Sequence, residues 1–181
     1  MPKPPLLPAE VLARVLRIAN IDGSVLVFLA GGFAVISAYC ADWVGALVGG
    51  LAASAGFIEL RGRRKLKAGD HEGVRWLVRS QFFLLVVILS YVAYQFRCFD
   101  PRPLLELTER QFAAAQRASG MEPITLAANL GQTPAQLLAL ARQTARLAYA
   151  LVAVLSVGFQ GGLAYYYHCK SPTIARALSK S

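Results

Sequence analysis

The amino-acid sequence predicts an all-α, polytopic membrane protein: four transmembrane helices, an N-terminal amphipathic helix, and a small helical extracytoplasmic segment between the third and fourth spans. Three observations carry this reading. Residues 23–41, 43–58, 80–96 and 147–167 contain no charged side chain, and with a few interfacial residues each approaches the ~20 helical residues that cross a ~30 Å hydrocarbon core. Apolar residues make up 56 % of the chain and charged residues only 16 %, against about 25 % charged in a typical soluble domain. The basic residues flank the apolar runs, where the positive-inside rule places them. A soluble helix of this length shows a polar face, and these runs show none; a chain of 181 residues cannot bury four such helices on every side.

The elements follow in order. Residues 1–22 form a cytoplasmic segment in which Val11, Val15, Ile18 and Ala19 alternate with Glu10, Arg14 and Arg17. Two positions are open for this amphipathic helix: flat on the inner leaflet, or packed on the cytoplasmic ends of the bundle. The first span covers 23–41 and the second 43–60. A basic cytoplasmic loop at 61–75 brings Arg61, Arg63, Arg64, Lys65 and Lys67 to lipid headgroups, and anionic ones are the natural partners of so dense a cluster. That density sets the orientation, with both termini in the cytoplasm, and the protein is expected in a bacterial inner membrane. The third span covers 76–97. Trp43, Tyr39, Tyr91, Tyr94 and Tyr149 then fall near the outer interface, and Trp76 with Tyr165, Tyr166 and Tyr167 near the inner one.

The extracytoplasmic segment, 98–132, opens on Pro101-Arg102-Pro103 and continues through helix formers to Gly120, a helix stop. A short second helix is expected from Pro123 to Leu130, closed by Gly131. Thr133-Pro134-Ala135-Gln136 combines a capping box with proline at the first helical position. It starts a long helix, 133–169, that contains the fourth span; some 35 residues span about 50 Å, more than the membrane requires. Ser171-Pro172 is read as its stop, leaving 170–181 as a cytoplasmic tail.

The net charge of +9 raises nucleic acid as a partner, but the position of the cations beside apolar runs favours the bilayer, and no nucleic acid is expected. Three cysteines without a CxxC and two histidines offer little for a disulfide framework, a metal or a haem, so no metal and no cofactor are expected. Cys40 and Cys98 fall at the outer ends of the first and third spans. They would be within disulfide reach if those ends are neighbours in an oxidising compartment; independent thiols are the plainer reading. Asp70, His71 and Glu72 match no standard metal spacing and read as a solvated turn.

Small residues and amides stand out within the spans. Gly45, Gly49, Ala53 and Gly56 form a narrow face on the second helix, and Gly161 and Gly162 a second packing site on the fourth. Such faces bring backbones close, within one bundle or between subunits. Gln81 and Gln95 share a face of the third helix and Gln160 interrupts the fourth; each is either an interhelical clasp or part of a pore or ligand pocket. Glu59, at the inner end of the second span, would coordinate a cation or pair with a nearby arginine, the second being the plainer reading. No span carries an ionisable group at mid-membrane depth, where proton relays and voltage sensors need one.

The functional expectation is a non-enzymatic integral membrane subunit or scaffold. It would assemble with itself or another membrane protein through the small-residue faces and the extracytoplasmic helical cap. A homo-oligomeric channel with a glutamine-lined pore is the first alternative, and a membrane enzyme acting on a lipid-soluble substrate the second.

Overall fold

In a computed structural model, residues 7–120 and 125–179 are described, and among them every regular element is a helix. These are α1 (Pro8–Tyr39), α2 (Trp43–Lys67), α3 (Gly73–Cys98), α4 (Arg102–Ala118), α5 (Leu126–Asn129) and α6 (Pro134–Leu178). Four of them, α1, α2, α3 and α6, are long and apolar enough to cross a membrane, which makes this a membrane protein. The chain divides into two units: Met1–Tyr91 with Ala153–Ser181, and Val92–Val152.

Within the first unit, α1 and α2 form a tight antiparallel pair around a three-residue turn. Ala41 closes that turn with a positive φ of 58°, and Asp42 caps α2 by accepting a hydrogen bond from Gly45 N at 3.0 Å. The small face of α2 lies against α1 of the same chain. A Cβ on Gly49 would sit 2.9 Å from Ala30 O and Ala34 N, and one on Gly56 2.8 Å from Gly23 O. Because those neighbours are backbone, only glycine admits the approach, and packing supplies the attraction that water cannot supply inside a bilayer. The same economy of volume recurs between α2 and α3, where a Cβ on Gly73 would lie 2.5 Å from Gly62 O.

The N-terminal helix is not a separate element. It continues without a break into the first span, and Val11, Val15 and Ala19 are buried. Val15 and Ala19 belong to a core shared with Leu66 of α2, Val74 and Leu77 of α3, and Tyr167 and Ile174 of α6. Of the two positions open to this segment, the burial fits packing on the bundle end. Two other boundaries also move. The basic stretch expected as a loop from 61 is helical to Lys67, and the turn proper is residues 68–72. The fourth helix does not stop at Pro172 but carries it internally to Leu178. Burial of Ile174, seven residues beyond Tyr167 on the same face, holds those last turns to the core despite the ladder bond proline lacks.

In the second unit, Gly120 and Gly131 adopt φ of +72° and +64°, the left-handed conformation that ends a helix. The expected start of the short helix at Pro123 lies outside the described residues; α5 itself is Leu126–Asn129. The capping box at the start of α6 forms in both directions, Thr133 N donating to Gln136 Oε1 at 2.8 Å and Gln136 N to Thr133 Oγ1 at 3.3 Å. Phe99 meets Tyr149 edge to face with ring centroids 6.0 Å apart.

Candidate functional site: a polar cluster at the basic end of the bundle

Hairpin arithmetic brings three polar residues to one level of the first unit, where a fourth joins them from α6. Asp22 lies 17 residues before the end of α1 at Tyr39 (39 − 22) and Glu59 lies 16 after the start of α2 at Trp43 (59 − 43). Glu59 is also 8 residues before Lys67 (67 − 59), and Gln81 is 8 after Gly73 (81 − 73). Residues equidistant from a helical turn face each other across it, so α1, α2 and α3 present these side chains together. Tyr167 arrives from α6, on the face that also buries Ala164 and Ile174.

The Gln81 amide is the hub. Its Nε2 donates to Asp22 Oδ2 at 3.0 Å and to Glu59 Oε2 at 3.1 Å, using both hydrogens of the amide. The Tyr167 hydroxyl donates to Glu59 Oε1 at 3.0 Å. Glu59 and Tyr167 are 0 % exposed and Gln81 is 1 % exposed. A carbonyl oxygen facing two carboxyl groups would be repelled, so the amide turns its nitrogen inward. Its Oε1 is left buried without a partner. The adjacent Ser80 donates from Oγ to Ala55 O at 2.7 Å and adds a second tie between α3 and α2. Glu59 therefore bonds to an amide and a phenol rather than to the arginine expected from its neighbours. Arg61 instead stacks over Trp76 at 5.2 Å, a cation–π contact.

The turn beside the cluster is charged and self-paired. Lys65 Nζ reaches Asp70 Oδ2 at 2.9 Å and Glu72 Oε2 at 3.2 Å, and Asp70 Oδ1 accepts from Glu72 N at 2.8 Å. The Lys65 hydrogen bond and the Glu72 N–H hold the Asp70 carboxyl below its usual range. Asp70 first, then Glu72, hold the Lys65 ammonium above its own. No group of three or more metal-ligating side chains occurs among the described residues.

The other candidates are dispersed. Gly45, Gly49, Ala53 and Gly56 are buried on the α1-facing side of α2. A Cβ on Gly161 or Gly162 meets nothing within 4 Å, so these two do not pack against the described chain. Gln160 is buried on α6 with its Oε1 unpartnered. Gln95 belongs to the second unit, where it lines a cavity of about 280 Å³ with Arg97, Arg142 and Arg146. Among the basic residues of α2, Arg61, Arg64 and Lys67 are exposed, whereas Arg63 has a buried Nε without a partner. Cys40 and Cys98 are free, exposed thiols, as is Cys169; the disulfide is not formed.

Sequence reasoning missed Asp22 and Tyr167. Asp22 stands one residue outside the uncharged run, and Tyr167 looks like one more interfacial aromatic. Equal distance from the α1–α2 turn was the available signal for Asp22; Tyr167 had none, because no tight turn joins α6 to the other three helices. Comparison with known proteins finds no matching family model, no matching curated protein and no matching solved structure.

Proposed function

We propose that this chain is a non-enzymatic subunit of a membrane assembly, a scaffold whose spans are tied to one another at their basic end. It meets a second membrane protein, or a second copy, through the outer faces of α1 and α6. The observation that carries the proposal is how unevenly the spans are covered. The most apolar windows of α2 and α3 are 39 % and 33 % buried, those of α1 and α6 only 11 % each. The polar cluster supports it, since its donors all serve carboxyl groups of the same chain and lock the bundle rather than reach for a ligand. The glycine face of α2 already holds α1, whereas on α6 Gly158 and Gly162, one turn apart, are open to a partner. The α4–α5 segment lies outside the membrane on its outer side. The basic end, with Arg61, Arg64 and Lys67, faces the cytoplasm by the positive-inside rule, in a bacterial inner membrane.

Photo-cross-linkers at Phe28 on α1 and at Gly162 on α6, activated in native membranes, are expected to yield discrete protein adducts. The detergent-corrected mass should then exceed one chain. Lipid adducts alone, with a monomeric mass, would count against the scaffold. The channel reading draws less support, because the Gln81 amide it needs toward a pore is engaged by Asp22 and Glu59. An enzyme built on Glu59 and Tyr167 would have to open first, since neither has exposed surface.

A further inference from the structure

Between α3 and α6 an open basic cavity continues into an apolar groove. The cavity, about 400 Å³, is lined by Arg75 and Arg79 from α3, His168 and Ser171 from α6, and His71 from the turn. The groove, about 340 Å³, shares Val78 and His168 with it and continues past Phe82, Gly161 and Tyr165. We propose that this continuous site binds one anionic phospholipid, its phosphate held by Arg75, Arg79, His168 and Ser171 and an acyl chain laid along the groove.

Charge comes first. Arg75 and Arg79 are one turn apart, so their guanidinium groups reach the same place. The nearby acids are engaged elsewhere, Asp70 and Glu72 both pairing with Lys65, and neither arginine enters an ion pair among the described residues. Two unneutralised guanidiniums are a fork-shaped donor set suited to a phosphate. The Ser171 hydroxyl and a His168 ring N–H add further donors. The position matches as well: the pair stands at the basic end of an apolar helix, at the level where headgroups meet water.

The apolar half makes the ligand a lipid rather than a free phosphate. From His168 back to Gly161 is seven residues, two turns or about 10 Å along α6, long enough to seat the upper part of an acyl chain. Gly161 keeps the groove open, because a side chain there would project into space that nothing in the chain fills. Phe82 and Tyr165 form its walls and are 57 % and 71 % exposed, a large apolar surface beside a cationic one. This site is distinct from the exposed arginines of α2, which offer charge without a groove.

The test uses the full chain purified in mild detergent, with bound phospholipid counted by native mass spectrometry after supplying phosphatidylglycerol or phosphatidylethanolamine. Wild type is expected to retain phosphatidylglycerol at least tenfold over phosphatidylethanolamine. R75Q/R79Q should abolish that preference, and G161L, which changes no charge, should lower retention of both lipids about tenfold. R61Q/R64Q removes the same charge outside the site and should leave retention unchanged. An equal fall in R61Q/R64Q would mean diffuse attraction and overturn the site. So would competition by glycerol phosphate as effective as competition by short-chain phosphatidylglycerol, which would make it a soluble-phosphate pocket. Unaltered lipid counts in R75Q/R79Q and in G161L would equally refute it. Arg75 and Arg79 are exposed and Gly161 faces open space, so the thermal transition of R75Q/R79Q and of G161L should stay that of wild type, whereas R61Q/R64Q also gives up the Arg61–Trp76 contact.

Discussion

At the scale of single residues, Gln81 decides more than any other side chain. It bonds to both carboxyl groups of the cluster, and replacing it takes a donor from the buried Glu59 of α2 and from the half-buried Asp22 of α1. Interhelical hydrogen bonds in membranes average about 0.6 kcal/mol, but leaving a buried partner unsatisfied costs about 1–3 kcal/mol. Tyr167→Phe removes one donor to Glu59 and is expected to lower stability by about 1–2 kcal/mol. Gln81→Leu should cost more, and the double variant less than the sum, because both act on Glu59. Thermal unfolding in detergent reads all three; strict additivity would show that Glu59 does not couple them. A second residue-scale prediction concerns Asp70. Its carboxyl is held below the usual range by Lys65, so what the ionised form contributes is present above the ordinary carboxylate range and is lost as pH falls through the lowered value. The Lys65 ammonium is held above its usual value, so its share disappears only as pH rises past the ordinary lysine range. The turn at 68–72 should therefore be best ordered between those two ranges and loosen on acidification. Asp70→Asn should look loose already at neutral pH, with hydrogen exchange of the turn amides as the measurement.

At the scale of elements, the α1–α2 hairpin rests on glycine, and α6 on its cap and on its last buried turns. Gly49→Ala puts a methyl 2.9 Å from backbone atoms of α1, which cannot rotate away, and overpacking of this kind costs about 1–3 kcal/mol. Gly158→Ala meets nothing within 4 Å and should leave the stability of the isolated chain unchanged. The pair of variants separates close packing from mere smallness; equal melting behaviour would contradict the described hairpin. At the start of α6, Thr133→Ala removes the hydroxyl that accepts from Gln136 N. Loss of such a cap costs about 1 kcal/mol, seen as faster exchange of the amides just after Pro134. The capping box, the left-handed glycines 120 and 131, and the uncharged runs were all legible in sequence, because each is a local rule about a few neighbouring residues. The passage of α6 through Pro172 was not, since what holds it is Ile174 among residues from three other helices. That contact outweighs the local signal to stop.

At the scale of the whole molecule, the proposed topology puts Cys40 and the chain ends on opposite faces of the membrane. An impermeant maleimide on intact cells should label Cys40, an exposed thiol, and spare a cysteine placed at Ser179; the reverse labelling would invert the bundle. By itself the sequence determined that the chain is helical with four helices long and apolar enough to cross a bilayer, where α2 and α6 begin, and which residues are too small or too polar to be filler. These follow from hydropathy, capping and backbone sterics, which act over one or two turns. Tertiary structure decided which face each helix turns inward. It put the glycines of α2 against α1 of the same chain rather than a neighbour, and gave Glu59 an amide and a phenol in place of an arginine. It also drew Asp22 and Tyr167, 145 positions apart (167 − 22), toward one carboxyl group. The physical reason is that an apolar helix carries almost no periodic signal for its buried side, so only the meeting of four helices reveals which polar atoms must satisfy one another.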